Sequence, residues 1–153
     1  MIELEFQPRG FFRTKIEVNV GGVPLTNIER SAFGGNGHFE LDGVRYEVQR
    51  GFFRRDAHLL REGHIRARAG HRSMLSRSLE VDCGERTYEL VRPFLSGATE
   101  LRSDGRVVGL SRRTGWFRAT RSLACPEEVE PAVAVFLGWL LISLEEKRTA
   151  APS

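Results

Sequence analysis

The chain has 153 residues, of which 41% are hydrophobic and 28% charged, with a net charge of +3. That length suits one domain with a sizeable core, and the ordinary apolar content excludes disordered and fibrous classes. So small a net charge supplies no global field steering the protein toward nucleic acid or anionic membrane.

The first residues, MIELEFQPRG, alternate acidic and apolar side chains without a basic n-region and apolar core, so no signal peptide is expected. Beyond them, glycines recur at Gly22, Gly43, Gly63, Gly84 and Gly105, spaced 21, 20, 21 and 21 residues apart. Each follows a turn partner: Gly21, Asp42, Glu62, Cys83 or Asp104. Asp-Gly and Gly-Gly between alternating runs mark two-residue hairpins, because both central residues must take positive φ. Glu-Gly and Cys-Gly gain weight from the period. The flanks alternate as half-buried strands do. Ile16, Val18 and Val20 lead into Val23 and Leu25; Phe39 and Leu41 lead into Val44, Tyr46 and Val48. Ile65, Ala67 and Ala69 share a face, as do Leu79 and Val81, Tyr88 and Leu90, and Val108 and Leu110.

Midway between turns lie apolar landmarks: Phe11-Phe12, Phe33, Phe52-Phe53, Met74-Leu75, Phe94-Leu95 and Trp116-Phe117. Three share the pattern Gly-aromatic-Phe-Arg, at Gly10, Gly51 and Gly115, and read as corners joining one hairpin to the next. Turns and corners together predict twelve strands. They span about 2–6, 14–20, 23–30, 38–42, 44–50, 57–62, 64–69, 77–82, 85–91, 98–103, 106–112 and 117–122.

A different pattern follows. Residues 131–144, PAVAVFLGWLLISL, carry no charge and are apolar on every side, after Glu127, Glu128 and Glu130 and before Glu145, Glu146, Lys147 and Arg148. A helix that is apolar all round must be enclosed by protein or lipid. Fourteen uncharged residues fall short of the roughly 20 that span a bilayer, so a buried helix over about 127–147 is expected. Pro131 suits the first helical turn. From 131 to 147 the helix would run about 26 Å, close to the roughly 20 Å of a six-residue strand. Eight strands make a barrel that side chains can fill, whereas twelve leave a hole. The expected fold is mainly β: a closed antiparallel barrel of about twelve strands around a C-terminal hydrophobic helix, covering 1–148, with a frayed tail at 149–153.

The hairpins (LDGVRYEV, VDCGERTYEL, RSDGRVVGL), the corner words GFFR and GWFR and the helix PAVAVFLGWLLISL resemble the tubby-like fold. That group includes tubby C-terminal domains, plant LURP-one-related proteins and phospholipid scramblases, and the likeness to its small bacterial members covers essentially the whole chain. The resemblance implies lipid association, since tubby domains bind phosphoinositide headgroups through basic residues. A lysine-based pocket is not expected, because Lys15 and Lys147 are the only lysines.

Site chemistry is sparse. His38, His58, His64 and His71 form no metal-ligand spacing, and neither metal nor other cofactor is expected. Cys83 and Cys125 give no disulfide framework and fit a reducing cytoplasm, with Cys83 read as a passive thiol. Gly34-Gly35-Asn36-Gly37 leads into a strand, so it lacks the helix N-terminus of a phosphate loop. Glu80 and Asp82 face solvent, and Ser73, Ser76 and Ser78 have no assignable base. No catalytic constellation is present, and a non-enzymatic role is expected.

The positive signal is arginine. Residues 50–72 hold seven arginines and three histidines against Asp56 and Glu62; residues 102–121 hold six arginines against Asp104. Arg54, Arg55, Arg112 and Arg113 adjoin the aromatic corners and are the candidate anion contacts. Rings at an interface and guanidinium groups on phosphates would suit anionic lipid headgroups or other phosphorylated ligands, at a cytoplasmic site peripheral to the membrane. Charge blocks also serve merely as a solvated surface. The alternative is a protein-interaction scaffold without a small ligand; single-stranded nucleic acid ranks third.

Overall fold

Twelve antiparallel pairings between neighbouring strands close the sheet on itself. The computed structural model describes residues 1–9, 14–31, 36–50, 56–71, 78–93, 98–114 and 120–150, with side chains described as far as Leu144. The strands are β1 (Ile2–Arg9), β2 (Lys15–Val20), β3 (Val23–Arg30), β4 (Gly37–Leu41), β5 (Val44–Arg50) and β6 (Asp56–Arg61). They continue as β7 (His64–His71), β8 (Ser78–Asp82), β9 (Thr87–Val91), β10 (Ala98–Ser103), β11 (Arg106–Arg113) and β12 (Arg121–Cys125). Each strand pairs with its chain neighbour, and β1 pairs with β12, so the barrel has no free edge. One helix, α1 (Pro131–Ala150), follows β12.

The turns obey the expected chemistry with one correction. Gly21-Gly22, Asp42-Gly43, Glu62-Gly63 and Asp104-Gly105 all take positive φ at both positions, as type I′ turns require. At the fourth hairpin only Gly84 does, and the Cys83 N–H donates to the Arg86 carbonyl at 2.9 Å. The central residues there are Gly84-Glu85, not Cys83-Gly84; glycine in the first central position suits a type II′ turn. The Asp82 carboxylate braces it by accepting from the Gly84 N–H at 2.8 Å.

Three alternate hairpins, β2–β3, β6–β7 and β10–β11, contain a register shift. An extra residue on one strand turns everything beyond it to the other face. Ile65 therefore parts from Ala67 and Ala69 and is 48% exposed, while Pro24 and Val107 are exposed at the equivalent places. On β11 the expected inner residues, Val108 and Leu110, give way to Gly109 and Ser111. A side chain at Gly109 would meet the Ala124 carbonyl and Leu101, so that inner position admits only glycine.

Strand boundaries moved most at the first and last strands. The last strand ends at Cys125, not 122, and its inward residues are Arg121, Leu123 and Cys125. Strand β1 continues through Pro8, which pairs with β2 alone because the pairing with β12 ends at Phe6; its missing N–H costs no ladder bond.

The helix fills the hole. Every residue from Ala132 to Ser143 is buried. The inward faces of the wall meet it with Leu4, Phe6, Ile16, Val18, Ile28, Phe39, Val48, Leu59, Val81, Leu90 and Leu101. The helix begins at Pro131, four residues later than expected, because the Val129 N–H closes a turn on the Pro126 carbonyl at 3.1 Å. The first helical bond runs from the Ala134 N–H to the Glu130 carbonyl at 2.9 Å. Thr149 and Ala150, expected in the tail, belong to the helix, while 151–153 lie outside the described residues. Gly138 admits the Phe6 ring against the helix backbone; any Cβ there would overlap the ring.

That contact is testable. Gly138→Ala should destabilise the fold by about 1–3 kcal/mol through overpacking, and Phe6→Leu should relieve part of the loss. Denaturant unfolding of the double-mutant cycle reads the coupling; additive costs would show that ring and helix do not meet. Leu140→Asp should abolish folding, since an isolated buried carboxylate costs as much as the whole stability of about 5–15 kcal/mol. A folded Leu140→Asp protein by circular dichroism would refute the enclosure.

Candidate functional site at the basic end of the barrel

The antiparallel wall has two unlike ends. The five tight turns lie at one, called here the hairpin end, together with Cys125 and the start of α1. Asp42, Glu62 and Asp104 occupy its turns, and Glu127, Glu128 and Glu130 the segment leading to the helix, offset by Arg61, Arg86 and Arg106. At the far end, Arg9, Lys15, Arg30, Arg50, Arg112, Arg113 and Arg121 stand within one position of a strand terminus. Glu29 and Asp56 are the acidic residues so placed among the described residues. A modest net charge thus conceals a separation of charge along the barrel axis.

The pleat divides the expected arginine pair. Arg112 pairs with Ser122 on the outer face, whereas Arg113 pairs with Arg121, continuing the inward phase of Ser111 and Leu123. Successive residues of a strand point to opposite faces, so these neighbours serve different surfaces. Arg112 is exposed, and its side chain has no ion-pair or hydrogen-bond partner among the described residues; the same holds for Lys15. Arg9, between them on β1, is engaged with Gln7 at 2.7 Å and Glu17 at 3.3 Å. Strands β2, β1, β12 and β11 are consecutive around the barrel, so Lys15, Arg9 and Arg112 occupy one outer sector. Arg54 and Arg55 lie outside the described residues, as do the aromatic corners.

Inside the far end, Arg121 is buried and its Nε–H donates to the Ser111 hydroxyl at 3.3 Å. Arg50 turns inward at the end of β5, with its guanidinium carbon 5.5 Å from the centroid of the Trp139 ring. This cation–π contact ties the wall to the helix where α1 emerges. Nothing in the arginine counts signalled which residues turn inward; counting outward from the buried positions of β5 and β12 would have found Arg50 and Arg121.

At the hairpin end, Arg66 occupies the bulge of β6–β7 and makes an ion pair with Glu130, just before the helix. That pairing raises the Arg66 pKa and crosses the barrel mouth from β7 to the segment after β12. Burial pushes the Cys83 thiol up to about 11, against the opposing pull of Arg66. Burial likewise pushes Cys125 up to about 11, against the N-terminal ammonium. Thiols held protonated are poor nucleophiles. No group of three or more His, Cys, Asp or Glu among the described residues is arranged to hold a metal ion. No described helix is long and apolar enough to cross a membrane. No family model, curated protein or solved structure matches the chain.

The thiols set a pH dependence. Unfolding frees them to ionise from about pH 9, whereas the folded state keeps their protons to about pH 11. The unfolded chain binds fewer protons across that window, so stability falls as pH rises through it. Urea midpoints of the wild type should drop more steeply between those values than midpoints of Cys83→Ser/Cys125→Ala. Parallel slopes would show the thiols to be solvated in the folded protein.

Proposed function

We propose that this barrel is a non-enzymatic docking module whose basic end seats on an anionic, phosphate-bearing surface, that of a membrane on its cytoplasmic side. The observation that carries the reading is the segregation of charge: unpartnered, exposed Lys15 and Arg112 at one end, acidic turns at the other. Such an axial separation orients the molecule in the field of an anionic leaflet, basic end first. Each basic residue brought near that surface contributes about 1 kcal/mol. A twelve-stranded barrel around a C-terminal helix agrees with the tubby-like resemblance, and membership of that group is part of the proposal. With the helix enclosed, the attachment is peripheral and electrostatic.

A second reading, a protein-interaction scaffold, draws on a different observation. The exposed large hydrophobic residues, Met1, Val23, Leu25, Ile65 and Val107, all lie at the hairpin end among the described residues. Small-angle scattering and mass measurement with and without Ile65→Ser/Val107→Ser would detect self-association through that end; an unchanged monomer excludes it.

Co-sedimentation with vesicles decides the first reading. Binding to phosphatidylserine vesicles should exceed binding to phosphatidylcholine vesicles and weaken steeply with salt. Lys15→Glu/Arg112→Glu should lower the partition by about tenfold or more, since two attractions become repulsions. Equal pelleting on both lipids, or indifference to the charge reversals, would overturn it.

A further inference from the structure

One cavity at the far end is incompletely satisfied by the protein. It lies between α1 and the ends of β5 to β8, has a volume of about 50 Å³, and is lined in part by Arg50, Asp56, His71, Trp139 and Ser143. Trp139 is 1% exposed and Ser143 7% exposed. Yet the indole Nε1 and the Ser143 hydroxyl are buried with no hydrogen-bond partner among the described residues. Trp139 and Ser143 stand four positions apart, one helical turn, so both present to the same part of the wall. Native proteins rarely leave two buried polar groups at one cavity without an acceptor, because each has surrendered its water for nothing.

The surroundings specify what the occupant must offer. The indole N–H is a donor only, and the serine hydroxyl can donate. Arg50, stacked on the Trp139 ring, adds a donor-only guanidinium with a permanent positive charge at the entrance. His71 lies 3.1 Å through Nδ1 from the Ser78 carbonyl. A carbonyl can only accept, so Nδ1 carries the proton and the ring is fixed in place. Asp56 is an exposed residue at the start of β6. Donors come from two elements, the helix and β5, and so approach from more than one direction. A tetrahedral group with several acceptor oxygens matches that arrangement. The volume suits it as well, since one water needs only about 10–15 Å³ of such space.

We infer that this cavity is a subsite for one phosphoryl group, received by Trp139 Nε1, the Ser143 hydroxyl and the Arg50 guanidinium. It rests on the anionic-ligand reading above but uses inward-facing residues, distinct from the outer Lys15 and Arg112. A headgroup phosphate on a lipid and free phosphate share this chemistry.

Trp139 reports on its own site. With Trp116→Phe it is the sole tryptophan of the chain. Its fluorescence should change saturably with inorganic phosphate or with a water-soluble glycerophosphoinositol headgroup, and not with chloride at matched ionic strength. Response to the headgroup alone assigns the site to lipid; response to both shows that free phosphate suffices. Ser143→Ala, which removes only a buried hydroxyl, should weaken the apparent affinity by about tenfold or more while circular dichroism stays unchanged. Lys15→Glu/Arg112→Glu should keep the response, so failure of surface docking and failure of the subsite are read separately. A signal absent for both phosphate probes, matched by chloride, or indifferent to Ser143→Ala would show that the cavity holds ordered water only.

Discussion

A helix with no polar face cannot exist in water, and the rest of the molecule answers that constraint. Twelve strands leave an interior too wide for their own side chains, and α1 is too apolar to lie on any outer surface. Each half solves the other's problem. The burial is continuous from Ala132 to Ser143, and the fit is close enough that Gly138 has no room for a methyl group beneath the Phe6 ring. Removing the helix would leave the buried inner face of the wall, Phe6, Phe39 and Leu59 among it, facing an empty bore, so barrel and helix stand or fall together.

Closure also decides where function can reside. A barrel without edges offers no strand for pairing, and an enclosed helix offers no groove; the ends and the outer wall remain. The ends differ in charge because the tight turns favour Asp-Gly and Glu-Gly, whereas the opposite strand termini carry arginine. Turn chemistry thus contributes half of the axial polarity as a by-product of the need for positive φ. The helix links the two ends: Glu130, before its first turn, is held by Arg66, and Trp139, near its last enclosed turn, is held by Arg50.

The architecture was legible because two strong signals agree, the glycine period and the charge-free run at 131–144. Strand faces were legible wherever apolar residues alternate without interruption, as at Phe39, Leu41, Tyr46 and Val48. They were illegible at the bulges, because one unpaired residue reverses the phase and leaves no mark in composition; Ile65 looks like a continuation of Ala67 and Ala69 but faces outward. On β11 the apolar Val108 and Leu110 drew attention from Gly109, whose inward place is dictated by the Ala124 carbonyl. The site was less legible still. Arg112 and Arg113 read as one patch, yet the pleat separates them, and Arg54 and Arg55 fall outside the described residues. Trp139 and Ser143 did carry a signal: they are the polar-tipped side chains of the otherwise apolar run 131–144, one turn apart.

The central claim is that α1 is an integral part of the core and not a segment docked after the barrel forms. Native-state hydrogen exchange of the helix amides tests it most directly. If the helix is enclosed, the amides of Val135 to Ile142 exchange only through global unfolding, with the same free energy and denaturant dependence as those of β5 and β12. Exchange of those helix amides through a smaller opening, while the strand amides remain protected, would contradict the account.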